Sequence, residues 1–451
     1  MERCNPQVRQ NDITHIVLNV TETCNLGCPY CFANQKGQKL RTMKWEVLKD
    51  CIDWLIRRSG DSKHISITWF GGEPTVVWDL VKKGTLYAEE EAQKCGKKVS
   101  FSMTTNGYAL PDDFEAFVFA PGRKFSVLLS FDGIPEAQNL NRPTKSGGET
   151  FTNVEKALDR LLKIEAWRKS GTQIRLTFNK ATVKYLYDSL VWFFEEKGVH
   201  SIASMPVEEE KWTEEELEEA RKIFTKIGEY YIDRYRQGKP IYLKIFHDVL
   251  ERQIIPAKPK RSLVKCGFAI NQVAIDPEGN ISSCHRMLDY DRGVGDYHMG
   301  TIYDEDISKI NKIREKFGET KIEDIRCEMP ERCVYCPIKP SCGGGCVAVN
   351  VEACGDPRIV PKTACDLRII WFEVACKIDA ILGAKGERNK FYMQRFYRPD
   401  RQQQPDFQEF RQAMLNLHRK VDKLTELICS FGKAFLAYAE DQEEVTKDDH
   451  N

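Results

Sequence analysis

Residues 21–32 read TETCNLGCPYCF, with Cys24, Cys28 and Cys31 spaced C-x3-C-x2-C directly after the β-rich run His15–Val20. Three thiolates on so short a loop can hold three irons of a [4Fe–4S] cube and leave the fourth iron without a protein ligand. An iron with an open position can chelate a cofactor or substrate, as the open position of a catalytic zinc does. The same spacing also allows a structural zinc site completed by a ligand from elsewhere in the chain.

Outward from that loop, strand-like runs alternate with helical patterns through the first half of the chain. The strand candidates are His15–Val20, His64–Phe70, Val99–Thr104, Ser126–Phe131, Gln173–Phe178 and Val199–Met205, each rich in Val, Ile, Phe or Thr as buried parallel strands are. Helical periodicity falls between them at Lys44–Arg58, Leu80–Cys95, Asp112–Phe119, Asn153–Lys169 and Val183–Lys197. Six β/α units in series predict an α/β fold, a partial (β/α)6 barrel over roughly the first 210 residues.

The remainder differs in texture. A charged helix is expected over Thr213–Arg236, then the linker IPAKPKRS, then a Gly- and Pro-rich stretch dense in cysteine from Cys266 to Cys365. Such a stretch buries little apolar surface by itself, so bound metal is expected to hold it together. A final amphipathic helix is expected from Phe407 to Tyr438, ahead of an acidic tail.

Composition excludes several function classes. The 451 residues carry 67 Lys plus Arg against 67 Asp plus Glu, so no net charge argues for nucleic acid as the main partner. The N-terminus lacks the apolar run of a signal peptide and no window reaches a membrane span, so no membrane association and a cytoplasmic location are expected. In that reducing compartment seventeen cysteines favour metal ligation over disulfides.

C-x3-C-x2-C with an aromatic residue, Tyr30, before the last cysteine resembles the signature of the radical S-adenosylmethionine (radical SAM) enzymes. Three further segments resemble that family's motifs, each at a strand end where such barrels carry their sites. WFGGEP holds Gly71, Gly72, Glu73 and Pro74, whose family counterparts meet the methionyl ammonium of the cofactor. TTNG spans Thr104–Gly107 with Asn106, and SFDG spans Ser130–Gly133 with Asp132; both resemble segments lining the cofactor and substrate cavity, Ser130 as a hydrogen-bond donor. Arg175, on the fifth strand, is expected to pair with the cofactor carboxylate.

The later cysteines follow C-x12-G-x4-C from Cys266 to Cys284, then C-x2-C-x5-C-x3-C over Cys333, Cys336, Cys342 and Cys346, and end at Cys365. This resembles the SPASM extension, which binds two auxiliary [4Fe–4S] clusters. The resemblance implies that Cys333, Cys336, Cys342 and Cys365 hold one cluster, and Cys266, Cys284 and Cys346 the other. A pair of zinc ribbons is the alternative, though ribbons usually repeat C-x2-C and here it occurs once. No cysteine lies at 267–272 to complete the second set, which leaves either an open iron or a ligand from elsewhere, with Cys327 and Cys354 as candidates. Sulfatase-maturing members place an aspartate base after the second auxiliary cysteine; this chain has His285 there, a candidate catalytic proton acceptor or a residue supporting the cluster.

The implied architecture is a radical SAM barrel over 1–212, a helical linker over 213–260, a SPASM domain over 261–380 and a C-terminal helical extension over 381–451. The implied cofactors are three [4Fe–4S] clusters and S-adenosylmethionine. The implied activity is modification of a ribosomally made precursor peptide by cross-link, thioether or backbone excision. A formylglycine-forming sulfatase maturase, a small-molecule dehydrogenase and a non-catalytic electron-transfer protein are the alternatives. Expected partners are the precursor peptide, an electron donor such as flavodoxin or ferredoxin, and a separate leader-recognition protein, because the first strand begins by about residue 14. Cys4, Cys51, Cys95, Cys376 and Cys429 have no partner at ligand spacing and are expected to be buried apolar residues, while the run EEEKWTEEELEE is expected to be a solvated helix face.

Overall fold

A computed structural model describes residues 13–33, 40–169, 171, 173–254, 272–288, 297–318, 324–336, 338–342, 344–388 and 390–391. The chain forms two compact units, residues 1–245 with 259–371, and 246–258 with 372–451. Cys4, Cys266, Cys429 and the helix expected at 407–438 lie outside the described residues.

The first unit is built on one sheet. β1 (His15–Thr21), β2 (His64–Gly71), β3 (Lys98–Thr105), β4 (Phe125–Ser130), β5 (Ile174–Phe178) and β6 (Ser201–Pro206) lie side by side in chain order, each pairing in parallel with the next. Helices cross between consecutive strands, among them α1 (Trp45–Arg58), α2 (Trp78–Lys94) and α5 (Phe151–Leu162). Sheet residues alternate between two environments. Ile65, Ile67, Trp69, Phe101 and Met103 are fully buried, with Trp69 stacked on Phe101 at 6.2 Å between ring centres. The intervening positions form a polar row on the other face: His15 Nε2 lies 2.7 Å from Thr68 Oγ1, and Thr68 Oγ1 lies 2.7 Å from Ser102 Oγ. Period-2 alternation with one polar face is what a partly open barrel needs for a lumen.

The six expected strands are present with ends shifted by only a residue or two, which is where assignment is least determined. Two helical expectations change. Asn153–Lys169 divides into α5 and a short helix at Glu165–Arg168, because Ile164 adopts an extended conformation between them. Val183–Lys197 is a 3-10 turn, a short α-helix and a π-turn in succession, bulky residues Trp192–Phe194 occupying the widened turn.

The sheet does not end with the barrel strands. β7 (Tyr242–Leu243) joins β6, and on the opposite side β8 (Gln272–Ile275) pairs in parallel with β1, followed by antiparallel β9 (Asn280–Ser282) and β10 (His298–Thr301). The cysteine-rich stretch therefore enters the barrel sheet directly at β1, the strand that leads into the Cys24 loop. Between these parts α8 (Glu214–Arg236) starts at a capping box: Glu216 N–H donates to Thr213 Oγ1 at 3.2 Å and Thr213 N–H donates to Glu216 Oε2 at 2.7 Å.

In the second unit the described part of α9 (Lys244–Ile254) and the C-terminal end of the helix Lys362–Ala384 carry the structure. There Arg388 pairs with the buried Asp379 at 2.8 Å.

Candidate active site

The cysteine loop leaves β1 at its C-terminal end, as a parallel-barrel site requires. It is held by backbone contacts that specify glycine. Gly72 N–H donates to the Thr21 carbonyl at 2.7 Å and Glu73 N–H to the Thr23 carbonyl at 2.9 Å. At Gly71, with φ of +140°, a Cβ would fall 2.2 Å from the Thr21 carbonyl oxygen; at Gly72 it would fall 2.4 Å from that of Thr23. The paired glycines thus let β2 approach the loop itself, a backbone-to-backbone contact that no side chain could relieve.

Glu73 is buried and its carboxylate is already engaged. It accepts from Thr75 N–H at 3.1 Å, Thr75 Oγ1 at 2.8 Å, Thr105 Oγ1 at 2.8 Å and Asn106 N–H at 2.7 Å. Burial raises its pKa while those bonds oppose the rise. Asn106 carries the bracing on to the loop: its Nδ2 donates to Asn25 Oδ1 at 2.7 Å and reaches Cys24 Sγ at 3.6 Å, and Leu26 N–H points at the same sulfur from 3.4 Å.

The other side of the loop rests on a buried charge cluster. Asp132 accepts from Tyr30 Oη at 2.7 Å and Thr177 N–H at 2.8 Å, and pairs with Arg142 at 3.0 Å. Arg142 lies 5.5 Å from the centre of the Tyr30 ring, and its side chain is 9% exposed. Arg175 stands within electrostatic range of Tyr30, Arg142, Glu208 and Asp132, with burial lowering its pKa. Ser130 is buried at the end of β4. Burial pushes the Cys28 thiol up to about 12, against the pull of Arg142; Cys24 and Cys31 lie within electrostatic range of it. Ligation to iron would replace those thiol protons, and three thiols in one braced, partly buried loop suit that donor role.

The later cysteines form two groups. Cys284 follows β9, and Cys346 caps the helix Val347–Cys354; the two lie within electrostatic range of each other, and burial pushes Cys346 up to about 11. Arg286 beside them pairs with Glu352 at 2.6 Å and with Glu209, and Arg368 pairs with Glu208. Glu208 and Glu209 therefore depart from the expected solvated face: Glu208 is 5% exposed, because the chain leaving β6 turns inward to neutralise two partly buried guanidiniums. His285 contacts Phe70, at 4.6 Å between ring centres, and Phe32, at 5.7 Å. Phe32 directly follows Cys31, so the turn after Cys284 meets the first cysteine loop.

The second group surrounds a cavity lined by Cys327, Cys333, Cys336, Cys342 and Cys365. Cys327 was one of two candidates to complete the Cys284–Cys346 set; instead it lines this other cavity, within electrostatic range of Cys365. β11 (Arg326–Cys327) pairs in parallel with β12 (Ile359–Val360), which draws Cys327 toward the helix carrying Cys365. Cys354 lies in electrostatic range of Cys327. Among the described residues no three His, Cys, Asp or Glu converge on the position of one metal ion. A single tetrahedral zinc would draw its thiolates to about 3.8 Å from one another, given Zn–S bonds of about 2.3 Å. Of the other cysteines, Cys51 is fully buried as expected, while Cys95 is disulfide-bonded rather than free.

Asn25, Arg142, Arg286, Arg368, Glu208 and Glu209 were not identified from sequence. The run NRP after the fourth strand and the acidic residues immediately after the sixth are the local signals that mark some of them.

The fold and the strand-end site define the class: residues 18–186 match the Radical SAM superfamily, so the chain carries a radical SAM domain and is an enzyme of that superfamily, whose members use a [4Fe–4S] cluster and S-adenosylmethionine. Within that class it is 21% identical over 339 residues to the cysteine-type anaerobic sulfatase-maturating enzyme of Clostridium perfringens, a match covering 72% of this chain and 85% of that one. The AdoMet-bound structure of anSMEcpe superposes with a TM-score of 0.65 at 19% identity, covering 84% of this chain and 98% of that one. Streptococcus suis SuiB bound to its precursor peptide SuiA gives 0.53 at 16% identity, covering 79% and 76%. Among the described residues no helix is long and apolar enough to cross a membrane.

Proposed function

We propose that this enzyme is a radical SAM peptide maturase of the SPASM type, acting on a ribosomally made precursor. The observation that carries the reading is the contact of His285 with Phe32 and Phe70, which brings the residue after an auxiliary cysteine against the residue after Cys31. A substrate reacting at the first loop would then lie beside the second metal site. The likeness to a sulfatase-maturating enzyme and to a precursor-bound maturase supports a peptide as the substrate class.

Cys24, Cys28 and Cys31 would hold the initiating cluster. Cys284 and Cys346 with Cys266 would hold one auxiliary cluster, and Cys333, Cys336, Cys342 and Cys365 the other. When bound, cluster and S-adenosylmethionine together supply a 5′-deoxyadenosyl radical able to abstract hydrogen. The chain's own part is positioning. Glu73, Asn106 and Asn25 fix the Cys24 side of the loop, and Asp132, Arg142 and Tyr30 fix the Cys28 side. Ser130 and Arg175 face the same strand ends, where a hydroxyl and a guanidinium would orient the cofactor's amino-acid portion. His285 would accept a proton from substrate, and a flavodoxin or ferredoxin would deliver the reducing electron.

Anaerobically reconstituted enzyme given dithionite and S-adenosylmethionine should release 5′-deoxyadenosine, detected by liquid chromatography. Cys28→Ala should reduce that release to background, and unchanged release would sink the reading. A sulfatase-maturase activity is the second reading, favoured by the relatives and disfavoured by His285 in place of the expected aspartate. Mass spectrometry of sulfatase-derived Cys or Ser peptides, beside candidate precursor peptides, separates the two.

A further inference from the structure

Five thiols surround the cavity beside β11 and β12, one more than the four irons of a [4Fe–4S] cluster. The surplus belongs to Cys327. Only 2% of that residue is exposed, and its side chain lines the cavity. The backbone holds it there. Cys327 is registered against Val360, Glu328 N–H donates to the Val360 carbonyl at 3.1 Å, and Cys365 N–H donates to the Pro361 carbonyl at 3.1 Å. Cys365 thus sits one turn beyond the strand that Cys327 pairs with, and the two thiols lie within electrostatic range of each other. Ile325, Val360 and Ala364 pack together behind the pair, with Cys365 against them.

A [4Fe–4S] cube offers four irons to five thiols, so Cys327 and Cys365, drawn to one side of the cavity by the β11–β12 pairing, cannot both be added to Cys333, Cys336 and Cys342. They can serve the same corner in turn. We propose that Cys327 is an alternative ligand of the second auxiliary cluster, taking the iron that Cys365 would otherwise hold. This rests on the reading that a cluster occupies the cavity. In the exchange one iron–thiolate bond forms as the other breaks, and the incoming thiol's proton passes to the outgoing thiolate, with no change in electron count. In either arrangement the unbound thiol donates its S–H to the bound sulfur. Hydrogen bonds to cluster sulfurs tune their potential, so the two arrangements are distinguishable electronically.

The test uses the full chain, reconstituted anaerobically, with iron and sulfide counted per chain and the EPR spectrum recorded after reduction. Cys336→Ala should lose about four irons relative to the unmodified chain. Cys365→Ala should keep its iron and show altered auxiliary-cluster g values, and Cys365→Ser should behave alike. The double variant C327A/C365A should lose the same about four irons as Cys336→Ala. Loss of that iron from Cys365→Ala and Cys365→Ser alone overturns the proposal. Full retention by Cys336→Ala overturns it together with the reading on which it rests.

Discussion

The first cysteine loop and the region from Ile325 to Cys365 are both thiol-rich, yet they are held by opposite means. The first loop is fastened to a wide sheet: glycines dock it on β2, Glu73 and Asn106 brace one end, and the Asp132–Arg142 pair braces the other. The second region has strands of two residues, helices of four to eight residues before the one that starts at Lys362, and a small apolar cluster. Where the sheet supplies the framework, the thiols are placed by the protein before any metal arrives. Where it does not, a bound metal would have to contribute much of the folding free energy.

Four substitutions or conditions would break or sharpen that contrast. The largest effect is expected for Gly71→Ala, because its Cβ meets backbone that cannot move independently. Loss of the initiating cluster, about four irons per chain by chemical analysis, is the expected outcome, and full retention would refute the docking argument.

Next comes Arg142→Ala. Removing one partner of a buried ion pair leaves Asp132 uncompensated and should cost about 3–5 kcal/mol in denaturant unfolding. Asp132→Asn in the same background should recover much of the loss.

A smaller effect is expected from pH, through the polar row of the barrel. Burial, with His285 nearby, lowers the His15 pKa from 6.5 to about 4. A depressed folded-state value means that the unfolded chain binds more protons between those limits. Stability should therefore hold above pH 6.5 and fall toward pH 4, by up to about 3 kcal/mol. His15→Gln should flatten that slope in urea titrations across the range.

The smallest effect belongs to Gly344→Ala in the second region. Its φ is +74°, and its Cβ would meet the end of the Ile325 side chain at 2.7 Å, a flexible neighbour. A loss of about 1–2 kcal/mol is expected, with the auxiliary iron retained. A loss as large as that of Gly71→Ala would show the second region to be as rigidly framed as the first.

Much of this was readable from residues alone. Runs rich in Val, Ile, Phe or Thr located six strands, since β-branched and aromatic residues favour the pleated surface of a sheet. The charged helix from Thr213 was equally local, although the capping box with Glu216 that starts it was seen only in the structure. Cysteine spacing marked the first loop because ligands a few residues apart come from one turn of chain. What sequence left open was everything set by contacts between distant segments. Cys327 was a candidate to complete the Cys266, Cys284 and Cys346 set, and only the β11–β12 pairing sets it in the cavity with Cys365 instead. Glu208 and Glu209 looked like part of a solvated run, and only the approach of Arg368 and Arg286 from more than seventy residues away makes them counter-charges, Glu208 buried and Glu209 partly so. Glu73 was expected to face a cofactor, yet its carboxylate is bonded to the chain around it.

The sequence by itself determined that thiols at C-x3-C-x2-C follow a barrel strand, because that depends on short spacing and hydrophobic period. The tertiary structure decided what stands beside them: Arg142 and Asp132 at one flank, Asn106 and Asn25 at the other, and His285 against Phe32. Those neighbours arrive along the sheet from separate strands, and only the closing of the fold brings them together.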